Sequence, residues 1–563
     1  MLGASTQAGW GTIAALLLFI AASMWIGAMA NRAMKRGSFL KGFFLGNRGL
    51  GAWALALTAT VQSGGSFMGF PSLVYTHGWI VALWIAGYMI VPISAFGILG
   101  KRLAGLSRKT GAITIPDMFR ARFASPTLGL IASLFILFYM AFMMVAQFKA
   151  GAIVMKIAWP GAEALDQSAA GGIDTAYYVG LTVFTVTVVG YTLLGGFLAA
   201  VWTDLFQSVM MWLGVVFLLF LAVSAAGGME QATLDAARNT GPGFVYGPGY
   251  APRVTEPGPT YDPEGQRRFL PLGLAVSFFA VWVFAGLGSP SAMVRIMACK
   301  STGTIRRSIY LLSAYNACIY IPLVIICVCG RALIPDLQQT DEIIPTMALE
   351  MTKPLPLGSF LGGLILAAPF GAVMATVSSY LVVIASGLVR DVYQRFIRPD
   401  ASTRELRYLS YAVMILVGVI AIAANLKPVA YLQAIVVFSG TGAAATFCVP
   451  ALMLCYSRRA TVPGVLAAMF AGAGTVLTLY VLGFLGYGDA LLGNVTSFRP
   501  LFLLELHPIL WGLLASLTAG VFVTLRTSPP DAGLVSALFD VKPTDRLEDI
   551  RADSIDSHLT EAV

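Results

Sequence analysis

Charge is what this sequence has least of. Asp, Glu, Lys and Arg make up 11% of its 563 residues, against about 25% in a typical soluble chain. A water-facing surface of that size could not be clothed with so few, so soluble-enzyme templates fall away. Histidine is scarcer still: His77, His507 and His558 are scattered and suggest no metal site. Six cysteines stand at no zinc or redox spacing. Five of them (Cys318, Cys327, Cys329, Cys448, Cys455) fall in apolar stretches, where cysteine behaves as a small hydrophobe. No Walker loop or dinucleotide fingerprint occupies a polar link, which argues against ATP-driven transport. The net charge of +9 would suit nucleic acid only on a basic face of a soluble fold. Here the basic residues lie in short links between apolar runs, so no nucleic-acid partner is expected.

Apolar residues are what is abundant, at 58%, in runs of about 20 that match roughly 30 Å of hydrocarbon. The expectation is an all-α, polytopic membrane protein with 13 spans. They run approximately over 10–30, 51–74, 79–100, 126–155, 175–195, 198–226, 270–289, 308–330, 357–388, 407–425, 429–455, 462–486 and 508–526. Spans 5 and 6 are separated only by Gly195-Gly196, and span 9 is long enough to tilt or bend. One set of links, together with the C-terminal tail, holds 26 of the 36 Lys and Arg residues. The positive-inside bias therefore places those links in the cytoplasm of a plasma membrane, with the N-terminus outside and the C-terminus inside. The link 227–269, rich in Gly and Pro, reads as an irregular outer cap or a mobile loop. The acidic stretch 527–563 reads as a disordered cytoplasmic tail, leaving 1–526 as one transmembrane domain.

In so apolar a chain, function is expected where a span breaks the rules of hydrocarbon. Non-helical backbone is tolerated there only against protein or a water-filled cavity, and ionisable groups are expensive. Span 2 carries Thr58-Ala59-Thr60-Val61-Gln62-Ser63-Gly64-Gly65-Ser66. Its paired glycines and polar groups suggest an interrupted helix whose free carbonyls face a cation and whose N–H groups face an anion; close helix packing through small residues is the other reading. Span 9 carries Thr376, Ser378 and Ser379. Thr376 and Ser379 share a helix face, and their hydroxyls either join a cation site or bond back to their own helix. Asp204 stands near the start of span 6. A carboxylate at the bilayer centre costs roughly 2.5–3.5 kcal/mol, so it needs a partner, unless it sits at the interface and caps its helix. Lys149 in span 4 either snorkels outward or serves as counter-charge to an anionic solute or a carboxylate.

These residues resemble the sodium:solute symporters. The resemblance is carried by Gly42-Phe43-Phe44-Leu45-Gly46-Asn47-Arg48, by Tyr191–Phe197 running on to Trp202-Thr203-Asp204-Leu205-Phe206-Gln207, and by Gly288-Ser289-Pro290 with Val294–Ala298. Within the family the pattern is most similar to the sodium/pantothenate subgroup, at Gln147-Phe148, Ile334–Leu337, Ile344–Thr346, Ala367–Pro369 and Asp391–Asp400. The resemblance implies a five-plus-five inverted-repeat (LeuT-type) core, approximately 51–226 and 270–455, with peripheral helices 10–30, 462–486 and 508–526. It also implies one sodium site from the carbonyls of Ala59, Gln62 and Ala372 with position 375 and Thr376. Position 375 is Ala where the family commonly has Ser, so that site lacks a ligand. A second sodium site in some relatives corresponds to Asp204, Ser378 and Ser379, all present here. Ser63, Gly64, Gly65, Ser66, Gln147, Lys149, Phe279 and Trp282 are the candidate solute contacts.

The function expected is therefore transport, not enzymatic: sodium-coupled symport of a small organic anion by alternating access, with Na+ as coupling ion and no cofactor. Proton coupling on the same scaffold is the nearest rival, favoured by Ala375 and Lys149. A membrane sensor is a further rival, but the tail after Arg526 has no room for a catalytic domain. A channel lacks any repeated filter sequence. Oligomeric state is left open.

Overall fold

Backbone polar groups in lipid must be satisfied within the segment itself, and this chain meets that demand with helices. The computed structural model describes residues 8–34, 48–59, 63–161, 174–245, 272–427, 432–487 and 498–540. Among the described residues there is no strand, only an isolated bridge between Leu50 and Cys299. Among these residues eleven helices are long and apolar enough to cross a membrane, and twelve when the bent pair Leu272–Leu287 and Pro290–Met297 is taken as one span. The remaining expected span, span 2, is broken. It runs as Ala52–Ala59, then a widened π-type turn over Gly65–Gly69, then Phe70–His77. It is the one expected span outside those twelve.

Burial sorts the spans. Of the apolar stretch in span 11, 89% is buried, and in span 9, 83%, against 33% in spans 6, 10 and 13. Spans 9 and 11 are the axis of the bundle, and the last three face lipid with residues such as Phe220, Ile415 and Phe522. Spans 5 and 6 are two of the eleven, Thr175–Leu193 and Ala200–Ala225, joined with the backbone helical throughout Thr175–Ala225. Gly195-Gly196 leaves the helical hydrogen bonding continuous.

The basic links bond to one another and so lie on one face. Arg48 donates to Ser107 O and Ala112 O, both at 2.8 Å. Arg108 donates to Cys299 O and Lys300 O, and Arg122 to Ser457 O at 2.9 Å. Two expectations about the links are corrected. The stretch 527–563 is not unstructured throughout, since Ala532–Phe539 is a helix docked on this basic face. Leu538 is buried, Lys109 donates to its carbonyl at 2.8 Å, and Asp540 pairs with Arg458 at 2.5 Å. A short apolar run, Leu534 to Phe539, outweighs the acidic residues around it; 541–563 lie outside the described residues. On the opposite face, the expected irregular cap 227–269 begins as a helix, Met229–Thr240, that buries Ala232 and Ala236. Small residues four apart let it lie flat against the bundle; 246–269 lie outside the described residues.

Candidate functional site

Both helix breaks are built on close approaches that only glycine allows. At the first, a side chain on Gly64 would stand 2.5 Å from Ala150 Cβ of span 4. The Gly64 N–H freed by the break is taken by Gln147 Oε1 at 2.8 Å, and Ser63 O accepts from Ser66 N and Phe67 N where the helix restarts. At the second, a side chain on Gly288 would meet Ala444 Cα of span 11 at 2.5 Å. There span 7 bends by 41° before Pro290–Met297, with the Ser289 hydroxyl capping the new helix at Ala292 N. Spans 2 and 7, the first helices of the two expected repeats, are thus both interrupted.

Between the breaks lies a cavity of about 110 Å³. Span 2 contributes Ser63, and span 7 contributes Trp282 and the turn Ser289-Pro290-Ser291. Tyr88, Tyr139, Tyr380 and Ser439 close it from spans 3, 4, 9 and 11. Trp282 stacks on Tyr88 at 4.5 Å and tilts against Trp84 at 5.6 Å, and its Nε1–H is buried with no hydrogen-bond partner. Hydroxyls, one indole donor and aromatic faces line the space, with no charged side chain among the lining residues.

Charge is concentrated instead beside the cavity. Asp204 is buried, and its Oδ2 receives Arg295 Nη2 at 2.7 Å; both side chains are 2% exposed. The same Nη2 reaches the Ser379 hydroxyl. The Ser378 hydroxyl lies 3.5 Å from Asp204 Oδ1 and 3.1 Å from Ala375 O. The expected trio Asp204, Ser378 and Ser379 is therefore brought together, with a fixed cation in its midst. Asp204 is no interfacial cap, because a paired guanidinium meets its desolvation cost. Arg295 was counted above as one of the basic-face charges; it sits instead inside the bundle.

Of the other expected set, part lies among the described residues. Thr376 Oγ1 donates to Ala372 O at 3.0 Å. Ala59 ends the first helical piece of span 2, and Val373 packs against Gly64, which puts the break beside this part of span 9. Ala375 offers only its carbonyl, already receiving the hydroxyls of Ser378 and Ser379. Gln62 lies outside the described residues.

Of the candidate solute contacts, Ser63 and Trp282 line the cavity. Gly64 and Gly65 open the helical piece that restarts after the break, the latter packed on Val436 and Gln433. Ser66 shares a hydrogen bond with Tyr320 OH at 2.9 Å. Gln147 serves the break, not the cavity. Phe279 lies with its carbonyl against Gly87 of span 3, away from the lining residues. Lys149 is paired with Asp341 at 3.2 Å. Sequence reasoning missed Arg295, the tyrosines and Ser291; the motif around Gly288-Ser289-Pro290 was the available pointer to the last.

Residues 43–472 match the sodium:solute symporter family. The sodium/pantothenate symporter of Escherichia coli (strain K12) is 30% identical, over 90% of this chain and 94% of its own. That of Haemophilus influenzae is 29% identical, over 84% of this chain and 91% of its own. In fold, the chain is similar to the substrate-bound outward-open state of a Na+-coupled sialic acid symporter. The TM-score is 0.65 at 19% identity, covering 93% of this chain and 99% of that one. A broken-helix cavity beside a buried ion pair, on a chain matched over most of its length, leads to one placement: this multi-pass membrane protein belongs to the sodium:solute symporter family and is a sodium-coupled transporter of a small organic solute, not an enzyme.

Proposed function

We propose that the solute is a small organic monocarboxylate of the pantothenate kind, carried with sodium from the face opposite the basic links to the basic face. By the charge bias of the links that basic face is the cytoplasmic side of the plasma membrane. The N-terminus then lies outside and the C-terminus inside.

The observation that carries the mechanism is the Asp204–Arg295 pair at 2.7 Å. Arg295 belongs to Pro290–Met297, and Ser291 and Ala292 of the same short helix line the cavity. A sodium ion taking Asp204, with the hydroxyls of Ser378 and Ser379, must displace the guanidinium. Displacing it moves the helix that lines the solute cavity, so ion and solute sense one element. The charge balance agrees: the pair is neutral when empty, and neutral again with one sodium and one carboxylate bound. The set of Ala59, Gln62, Ala372 and Thr376 is short of a side-chain oxygen at Ala375 and is the weaker ion place.

The test is uptake of radiolabelled pantothenate and short monocarboxylates into proteoliposomes, with sodium or with choline. Asp204→Asn is expected to abolish the sodium-dependent part. Uptake that proceeds equally in choline would overturn the assignment. One observation favours proton coupling: Arg295 already neutralises Asp204 without any ion. An inward pH gradient driving uptake in the absence of sodium would establish that rival.

A further inference from the structure

On the face opposite the basic links, the segment between spans 8 and 9 folds down over the broken helix. Tyr75 OH of span 2 donates to Ile334 O at 2.6 Å and accepts from Leu337 N at 3.3 Å. The hydroxyls of Ser72 and Thr340 meet one residue before Asp341. Asp341 Oδ2 then takes Lys149 Nζ of span 4 at 3.2 Å and accepts Leu432 N at the start of span 11 at 3.4 Å. Both side chains of the ion pair are 9% exposed. One segment is thus pinned to spans 2, 4 and 11, with this pair as a charged tie to span 4.

Lys149 stands at an informative height. Two residues before it, Gln147 holds the Gly64 N–H at the break. Six residues before it, Met143 lines the cavity, so Lys149 lies roughly 9 Å further along the helix toward the opposite face. The cavity itself has no charged side chain among its lining residues. A carboxylate approaching from that face therefore meets a buried ammonium before it meets an uncharged chamber. The ammonium is already held by a carboxylate, that of Asp341, whose Oδ1 is buried without a partner. Separating a buried pair without replacement is strongly unfavourable, so an opening that carries Asp341 away is favoured by a carboxylate that takes its place on Lys149.

We propose that Lys149 selects carboxylate solutes by exchanging partners: Asp341 holds it while the opposite face is shut, and the solute carboxylate holds it while that face is open. The proposal rests on the carboxylate reading of the solute given above. It makes Asp341 an internal competitor of the solute, and so separates it from a structural ion pair. Losing Lys149 should weaken carboxylates specifically, whereas losing Asp341 should strengthen them.

The experiment is competition against radiolabelled pantothenate uptake in proteoliposomes holding the full chain, using butyrate and its neutral counterpart butyramide. Wild type is expected to be inhibited at least tenfold better by butyrate. Lys149→Gln brings the two inhibitors to near parity, and Lys149→Arg restores the difference. Asp341→Asn lowers the half-inhibiting butyrate concentration several-fold and leaves butyramide unchanged. If Lys149→Gln does not reach the membrane, Asp341→Asn alone decides by the sign of its effect. Retained tenfold discrimination in Lys149→Gln overturns the proposal, as does equal weakening of both inhibitors in Asp341→Asn. A wild type that takes up pantothenate but makes no distinction between the inhibitors also overturns it, leaving the solute reading intact. A wild type that takes up no carboxylate overturns the solute reading first, in an arm that involves no variant, and this proposal with it.

Discussion

Arg295 and Asp204 are 91 residues apart in sequence and 2.7 Å apart in space, and each makes the other's burial tolerable. Removing one partner of a buried pair costs about 3–5 kcal/mol, because the remaining charge is left uncompensated. Arg295→Gln should therefore lower the melting temperature in sodium-free detergent, and added sodium should recover more stability in the variant than in wild type. An equal sodium shift in both would mean that sodium does not occupy Asp204. At the other ion place, Ala375→Ser supplies the missing hydroxyl beside Thr376. One added ligand of ordinary hydrogen-bond strength, about 1 kcal/mol, should lower the half-saturating sodium concentration for uptake about five-fold; no change would exclude that place from ion binding. Asp204 was legible in the sequence because an acid in an apolar span demands a reason. Arg295 was not, because among Lys300, Arg306 and Arg307 it counted as one more basic-face charge. Only the bend at Gly288-Ser289 turns it inward.

Elements were legible where a physical exception marked them. Gly64-Gly65 with flanking polar residues announced a broken helix, and the chain is non-helical at Ser63 just before them, with Gly64 packed tightly on Ala150. Gly195-Gly196 made the same local signal and led to the opposite result, since Thr175–Ala225 stays helical through it. The tail helix Ala532–Phe539 was illegible for a different reason, because its docking site is assembled from Lys109, Arg122 and Arg458 on two distant links. Arg122 stacks within 5.0 Å of Phe539, and Arg458 pairs with Asp540. Leu538 is the buried anchor, and truncating such a side chain costs about 2–5 kcal/mol. Leu538→Ala is therefore expected to undock the helix, read as faster amide exchange over 532–540 with the remaining spans unchanged. Unaltered protection there would show that the ionic contacts hold it alone.

At the scale of the molecule, scarcity of charge makes the transport energetics nearly countable. The cavity lining is uncharged, and the ion set proposed at Asp204 would return to neutrality with one sodium and one monocarboxylate. Each sodium crossing 100 mV contributes roughly 2.3 kcal/mol, and a tenfold gradient adds about 1.4 kcal/mol. With one sodium the voltage work on the ion is cancelled by the work on the anion, and only the gradient of about 1.4 kcal/mol remains, which supports near tenfold accumulation. A second sodium would leave one uncancelled charge and raise the driving force to about 5 kcal/mol, enough for accumulation of several thousand-fold. The missing side-chain oxygen at Ala375 argues for the first case. Uptake of a monocarboxylate into proteoliposomes under a tenfold sodium gradient should then plateau near tenfold. Imposing an inside-negative potassium diffusion potential with valinomycin should leave that plateau unchanged. A plateau that climbs with the potential would mean that two sodium ions accompany each solute, and that the carbonyls of Ala59, Gln62 and Ala372 with Thr376 hold an ion without help from position 375.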